Sequence, residues 1–213
     1  REKAIETNEE HADKLGINKS ASITCVKPSG TVSQLVDSAS GIHTRHSPYY
    51  IRTVRTDVKD PLCTLLIDSG VPSEPDITNP SNVMVFSFPM RSPKFSLTRK
   101  DLSAIGQLEL HGIYSKFWAE HKVSQTISVK EHEWLPVGSF VFKHFDDISG
   151  VSFLPYSDHV YKQAPYTECT KEEFDTLNKS LPTINWDNLL KYETLDGTSG
   201  SQELACTAGG CEI

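Results

Sequence analysis

The spacing of apolar residues in the N-terminal part of the chain predicts a helix, a short strand and a second helix. Residues 1–16 form an amphipathic pattern ending at Gly16, and glycine commonly closes a helix in the left-handed conformation. Residues 22–26, SITCV, are apolar and partly β-branched, which predicts a buried strand. After a Pro-Ser-Gly loop, apolar residues recur at helical spacing over 32–39, before Gly41.

The middle of the chain alternates between strand and helix patterns, which favours an α/β fold. Three apolar runs predict strands, at 83–88, 125–129 and 151–154. The Pro- and Asn-rich stretch 71–82 predicts irregular backbone, and a helical pattern occupies 135–145.

Two capping-box patterns predict helix starts. Thr98 and Asp101 precede a long helical pattern with one apolar face, which runs to Trp118. Thr170 and Glu173 repeat the spacing before a short helix that Pro182 interrupts.

The composition changes after Tyr192, where the residues are mostly small and polar and few are apolar. Such a segment predicts a flexible tail. We therefore expect an α/β domain at 1–192 and a tail at 193–213.

Composition and charge narrow the classes of function. The formal net charge of −7 argues against binding to nucleic acid through clustered phosphate contacts. No apolar run approaches the roughly 18 residues of a membrane-spanning helix, so we expect neither nucleic acid nor membrane as a partner. The charged N-terminal stretch REKAIETNEEH does not resemble a signal peptide, so we expect a cytoplasmic location. The five cysteines are odd in number and dispersed, which favours free thiols with one possible working pair.

The loop before the second helix has the residue types of a phosphate cradle. Gly30 lets an anion approach the backbone, Pro28 stiffens the entry, and hydroxyls surround the turn. The residues of this candidate site are Pro28, Ser29, Gly30, Thr31, Val32 and Ser33. The alternative is an ordinary capped helix after a tight turn, in which the hydroxyls bond only to their own backbone.

Other polar residues allow weaker hypotheses. One hypothesis is that a basic strip lies near the loop, formed by His43, Arg45, His46, Arg52 and Arg55. The alternative is that the arginines form surface salt bridges. The stretch 130–134, KEHEW, lacks metal-ligand spacing and is typical of a solvated face. Cys25, Cys63 and Cys169 are interpreted as structural, and we expect no metal site.

Four long motifs extend over nearly the whole chain. They are ITCVKPSGTVSQLVDSASGIHTRHSPYYIRTVR, TISVKEHEW, GVSFLPYSDHVYKQAPY and ELACTAGGCEI. Together they resemble the C-terminal part of adenosylcobalamin-dependent (class II) ribonucleotide reductases, in particular the monomeric type that reduces ribonucleoside triphosphates. The resemblance implies the last portion of a ten-stranded α/β barrel with two parallel halves, followed by the tail. It also implies that the loop at 28–33 holds the phosphates of a ribonucleotide substrate.

The resemblance further implies a radical reaction with adenosylcobalamin as cofactor. In the family, a cysteine thiyl radical abstracts the ribose 3′ hydrogen, and two further cysteines supply electrons and end as a disulfide. The family's radical-loop motif of Asn, Pro, Cys and a nearby Glu does not occur here. The first residue is Arg1, and the only methionines are internal, so we expect the catalytic centre in a missing N-terminal part.

The two cysteines of the tail are the remaining chemical feature. Two of the residues between Cys206 and Cys211 are glycines, which allow the reversal that a disulfide needs. In the family, such a tail re-reduces the active-site disulfide and is itself reduced by thioredoxin or a similar protein. About 12 extended residues span up to about 40 Å, enough to cross a barrel mouth. The alternatives are idle thiols on a solvated tail and, less favoured, half a zinc site.

Two hypotheses for the whole chain follow. The first is the C-terminal segment of a ribonucleotide reductase that makes deoxyribonucleotides for DNA synthesis. The second is a stand-alone nucleotide-binding or interaction module that lacks the radical site.

Overall fold

The computed structural model describes residues 1–29, 32–156 and 161–193. The helices are α1 (Glu2–Leu15), α2 (Val32–Leu35), α3 (Pro61–Asp68), α4 (Ala104–Phe117), α5 (Trp134–Lys143), α6 (Lys171–Ser180) and α7 (Leu189–Tyr192). The strands are β1 (Tyr49–Asp57), β2 (Ser73–Pro75), β3 (Val83–Arg91), β4 (Thr126–Val129), β5 (Ser152–Pro155) and β6 (Tyr166–Glu168). Short 3₁₀ turns lie at Glu131–Glu133, Phe145–Asp147 and Trp186–Asn188. The described residues divide into two compact units.

The first unit contains residues 1–45 and 95–156 within the described ranges, and it is built on a parallel strand pair. β4 pairs with β5, with Ile127 opposite Phe153, and α5 lies between the two strands in the chain. Ile127 and Val129 are fully buried against Leu108 of α4 and Val137 of α5. The α/β class predicted from the alternating pattern is confirmed here.

The segment before the glycine-containing loop differs from its predicted strand. Only Val26 pairs, through an isolated parallel bridge to Val123. The Glu120 carboxylate accepts from the backbone N–H groups of Ile23, at 2.9 Å, and Thr24, at 3.3 Å. Because a side chain takes these donors, they are not available to a strand ladder. The same bonds, with that of Ile23 the strongest, lower the pKa of Glu120.

The helix predicted over 32–39 is a single turn, α2. Asp37, two residues after the end of α2 at Leu35, adopts a left-handed φ of 50°, so the helix does not continue. The buried Arg45 guanidinium donates to the Ser38 carbonyl at 2.6 Å and to the Asp37 carboxylate. Arg45 thus holds the turn that follows α2, and the apolar side chains of α2 are exposed, at 67% for Val32 and 86% for Leu35.

The second unit contains residues 46–94 and 161–193, and its centre is a four-stranded antiparallel sheet in the order β2, β3, β1, β6. Thr53 of β1 faces Ser87 of β3. On one side, α3 packs on the sheet through Cys63 and Leu66, which contact Phe86. β2 lies in the stretch predicted to be irregular, so that prediction is wrong for residues 73–75.

A buried carboxylate organises the edge of this sheet. Asp76 accepts from the Thr78 N–H at 2.8 Å, the Thr78 hydroxyl at 2.5 Å, the Asn79 N–H at 2.9 Å and Arg55 Nε at 2.8 Å. The hydroxyl bond is the largest of the effects that hold the pKa of Asp76 well below its usual range, against an opposing effect of burial.

We predict that Asp76→Asn destabilises this sheet edge by about 2 kcal/mol or more at pH 7, because the amide cannot accept from every donor around it. A depressed pKa stabilises the fold above the ordinary aspartate pKa, and this contribution declines as the pH falls below about 4. Hydrogen–deuterium exchange of residues 76–82 should therefore be faster in the variant at pH 7, and the difference should shrink in acid. The exposed Asp175→Asn is the matched control; equal exchange in both variants would contradict the prediction.

No helix in the described part of the chain is long and apolar enough to cross a membrane.

Candidate functional site

The candidate phosphate loop closes on itself through two serines. The Ser33 N–H donates to Ser29 Oγ at 2.9 Å, and the Ser33 hydroxyl donates to the Ser29 carbonyl at 2.7 Å. Ser33 is buried, whereas Pro28 and Ser29 are half-buried and Val32 is exposed. Gly30 and Thr31 lie outside the described residues. The capped turn that the alternative hypothesis predicts is thus present. It lies in the same loop, residues 28–33, to which the phosphate hypothesis assigns substrate binding.

A second loop lies against the first and was missed by the sequence reasoning. The Ser29 N–H donates to the Ser40 hydroxyl oxygen at 2.7 Å. Gly41 has a left-handed φ of 55°, and a Cβ added there would lie 3.0 Å from the Lys27 carbonyl oxygen. The glycine therefore permits a close approach of residue 41 to the backbone that enters the loop. A glycine after a serine in a polar stretch was the only local signal for this turn.

His43 connects the second loop to β4. Its Nδ1 lies 2.6 Å from the Ser40 carbonyl oxygen, and its Nε2 accepts from the Thr126 N–H at 2.9 Å. Because a backbone N–H can only donate, Nε2 carries no proton, and the hydrogen of the neutral ring sits on Nδ1 and points to Ser40. His43 is therefore not a cation in this arrangement.

The residues of the basic strip suggested by the sequence are divided between the two units. Arg45 bonds to Asp37 and the Ser38 carbonyl within the first unit. In the second unit, Arg52 bonds to the Tyr166 hydroxyl and Arg55 bonds to Asp76. Each arginine has an internal partner, so the salt-bridge alternative fits Arg45 and Arg55.

The structure describes three free cysteines, Cys25, Cys63 and Cys169. Burial is the main cause that raises the pKa of the Cys63 and Cys169 thiols, which disfavours the reactive thiolate. Cys25 is half-buried next to the loop, and its carbonyl accepts from Trp118 Nε1 at 3.2 Å. Cys206 and Cys211, the predicted redox pair, lie outside the described residues.

No protein-family model matches the chain. Among curated proteins, a probable adenosylcobalamin-dependent ribonucleoside-triphosphate reductase of Dictyostelium discoideum is 34% identical over 190 residues, covering 86% of this chain and 25% of the relative. The adenosylcobalamin-dependent ribonucleoside-triphosphate reductase of Levilactobacillus brevis is 28% identical over 98% of this chain and 29% of its own length. That of Euglena gracilis is 34% identical over 76% of this chain.

A solved structure is also similar to this chain. The crystal structure of a B-12 dependent (class II) ribonucleotide reductase superposes with a TM-score of 0.75 at 26% identity, over 90% of this chain and 27% of that one. The chain therefore spans between a quarter and a third of the length of the first two relatives and of the solved structure.

Proposed function

Because the chain belongs to the adenosylcobalamin-dependent ribonucleoside-triphosphate reductase family, we propose that it is the C-terminal segment of an enzyme that converts ribonucleoside triphosphates to 2′-deoxyribonucleotides for DNA synthesis. The observation that carries this proposal is the 34% identity to a relative of that name over 86% of the chain. No feature of the described residues favours the stand-alone module.

The segment's first role is to bind the substrate phosphates at residues 28–33. The reciprocal bonds between Ser29 and Ser33 support this role, because they set the loop's shape before a ligand arrives. With α2 only one turn long, we assign the phosphate contact to those loop N–H groups and hydroxyls that do not donate in the Ser29–Ser33 and Ser29–Ser40 bonds, rather than to a helix dipole.

The segment's second role is architectural. We propose that β4, α5 and β5 form one strand–helix–strand repeat of the family's ten-stranded barrel. The parallel register of β4 and β5 and their burial against α4 and α5 support this assignment.

The cofactor named in the relatives' descriptions is adenosylcobalamin, which supplies the radical chemistry when bound. Within residues 1–29, 32–156 and 161–193, no cluster of three or more His, Cys, Asp or Glu side chains could hold a metal ion. We therefore assign no described residue to the cobalt. We confine this segment's contribution to binding and orienting the substrate and to reduction by the tail.

The third role belongs to Cys206 and Cys211, which we propose as the dithiol that passes electrons from thioredoxin or a similar protein to the active-site disulfide. Such exchange requires a reducing compartment, so we place the enzyme in the cytoplasm.

Replacing Ser29 by alanine tests the phosphate site. In the complete enzyme, Ser29→Ala should raise the KM for a ribonucleoside triphosphate about five- to tenfold, since losing a capping hydroxyl costs about 1 kcal/mol. The kcat should change little, because in the proposed role the loop contacts the phosphates and not the reacting carbon. Steady-state kinetics with a small dithiol as reductant measure both values.

The exposed Ser139→Ala serves as control for the Ser29 variant. If Ser29→Ala keeps the KM and the activity of the wild-type enzyme, the loop does not have the proposed phosphate role. An inactive wild-type enzyme under these conditions would remove the reductase assignment itself.

A further inference from the structure

A continuous path of hydrogen bonds joins the phosphate loop to strand β4. It runs from the Thr126 N–H through His43 to the Ser40 carbonyl, and from the Ser40 hydroxyl to the Ser29 N–H. We propose that His43 is a positioning residue that sets the phosphate loop at a defined place relative to β4. This inference rests on the proposed function of the loop and adds a residue to which that function assigns no role.

The neutral imidazole suits this task because its two nitrogens have opposite roles. Nε2 accepts from the N–H of Thr126, and Nδ1 donates to the carbonyl of Ser40. Lysine or arginine offers donors only and would face the Thr126 N–H with another donor. The contact to Thr126, at 2.9 Å, is within the normal hydrogen-bond range, and the contact to Ser40, at 2.6 Å, is slightly shorter than that range.

Strand β4 is a rigid anchor for the path. Ile127, which follows Thr126, is fully buried in the core of the first unit, and its strand is paired with β5. The loop, in contrast, leads into α2, whose Val32 and Leu35 are exposed. An anchor on the core side restricts the loop, which otherwise depends on its own Ser29–Ser33 bonds.

Ser40 transmits the position of His43 to the loop. Its carbonyl accepts from the His43 backbone N–H at 3.0 Å and from the ring at 2.6 Å, and its hydroxyl oxygen receives the Ser29 N–H. Because Ser29 also accepts from Ser33, a shift of Ser40 disturbs both sides of the loop. The expected consequence of losing His43 is a loop that binds phosphates more weakly, with the reaction of the bound substrate unaffected.

The test uses the complete enzyme with a small dithiol as reductant. His43→Ala should raise the KM for a ribonucleoside triphosphate about tenfold, because two hydrogen bonds are lost. His43→Asn keeps a donor near Ser40, and His43→Gln keeps an acceptor near Thr126, so each should raise KM by about threefold. The kcat should stay within about twofold in all three, and the exposed His132→Ala should change neither value.

A double-mutant cycle with Ser40→Ala separates positioning from general destabilisation. If His43 acts through Ser40, the double variant should raise KM no more than the larger single variant, whereas independent effects multiply. Multiplying effects, or a lower kcat and melting temperature at unchanged KM, would overturn the proposal.

Comparison with Ser29→Ala distinguishes the two proposals. If Ser29→Ala raises KM and the His43 variants do not, only the role of His43 is wrong. If neither changes KM, the phosphate assignment fails and the role of His43 falls with it. The Asn and Gln variants keep these outcomes measurable if His43→Ala does not fold.

Discussion

Replacing Cys206 and Cys211 by serine in the complete enzyme is expected to lower thioredoxin-driven turnover by at least about 100-fold while sparing turnover driven by a small dithiol. In the proposed shuttle, one tail thiolate attacks the active-site disulfide and forms a mixed disulfide. The second tail thiol resolves it, so the active-site pair gains two electrons and the tail becomes a disulfide. Thioredoxin then reduces the tail. Serine cannot form the mixed disulfide, whereas a small dithiol can reach the active site directly.

The remaining cysteines provide controls for this experiment. Cys63→Ser and Cys169→Ser should leave both activities nearly unchanged, because burial raises the pKa of these thiols and disfavours the thiolate. The measurement is deoxyribonucleotide formation with each reductant in turn. An equal loss with both reductants would exclude the shuttle role of the tail.

Gly41→Ala is expected to raise the KM for a ribonucleoside triphosphate by about 30- to 100-fold, equal to about 2 to 3 kcal/mol. Two costs combine at this position. Alanine at a φ of 55° is strained, and its Cβ would lie 3.0 Å from the Lys27 carbonyl oxygen and 3.3 Å from Val26 Cγ1. The crowded atom is the backbone carbonyl oxygen of Lys27, at the entry to the loop. Moving this backbone therefore also moves Pro28 and Ser29, which follow it.

Gly16→Ala is the matched control for backbone strain. Gly16 has a φ of 66° in the same unit, with nothing within 4 Å of an added Cβ. The control should lose some stability at the end of α1 and keep the wild-type KM. If Gly16→Ala and Gly41→Ala raise KM equally, the close approach at Lys27 has no role in substrate binding.

Elements with strong local signals were predicted well. Gly16 ends α1 with a left-handed φ of 66°. The capping box of Thr170 and Glu173 is formed, with the Glu173 N–H donating to the Thr170 hydroxyl at 3.2 Å. β3, β4, β5 and α5 occupy their predicted stretches within a few residues. In each case the signal lies within a few residues of the element that it specifies.

Other elements were misplaced or missed, for different reasons. Thr98 and Asp101 do bond to each other, at 2.8 Å from the Thr98 N–H, but α4 begins later, where Ser103 caps it through the Gly106 N–H. Strand β1 was not predicted, since its two arginines obscure the apolar pattern. Helix α3 was also missed, although Asp60 followed by Pro61 is a cap signal that the sequence contains.

The sequence by itself determined the α/β class and the family resemblance, and it supplied the loop at 28–33 and the tail cysteines as predictions, because all of these depend on residue types close together in the chain. Only the tertiary structure brought His43 to Thr126, 83 residues away, and paired Arg45 with the turn at Asp37 and Ser38. A histidine's two ring nitrogens can serve as ligand, base or bridge, and the residue type does not choose among these roles. The choice depends on which backbone groups the fold places beside each nitrogen, and packing at long range decides that.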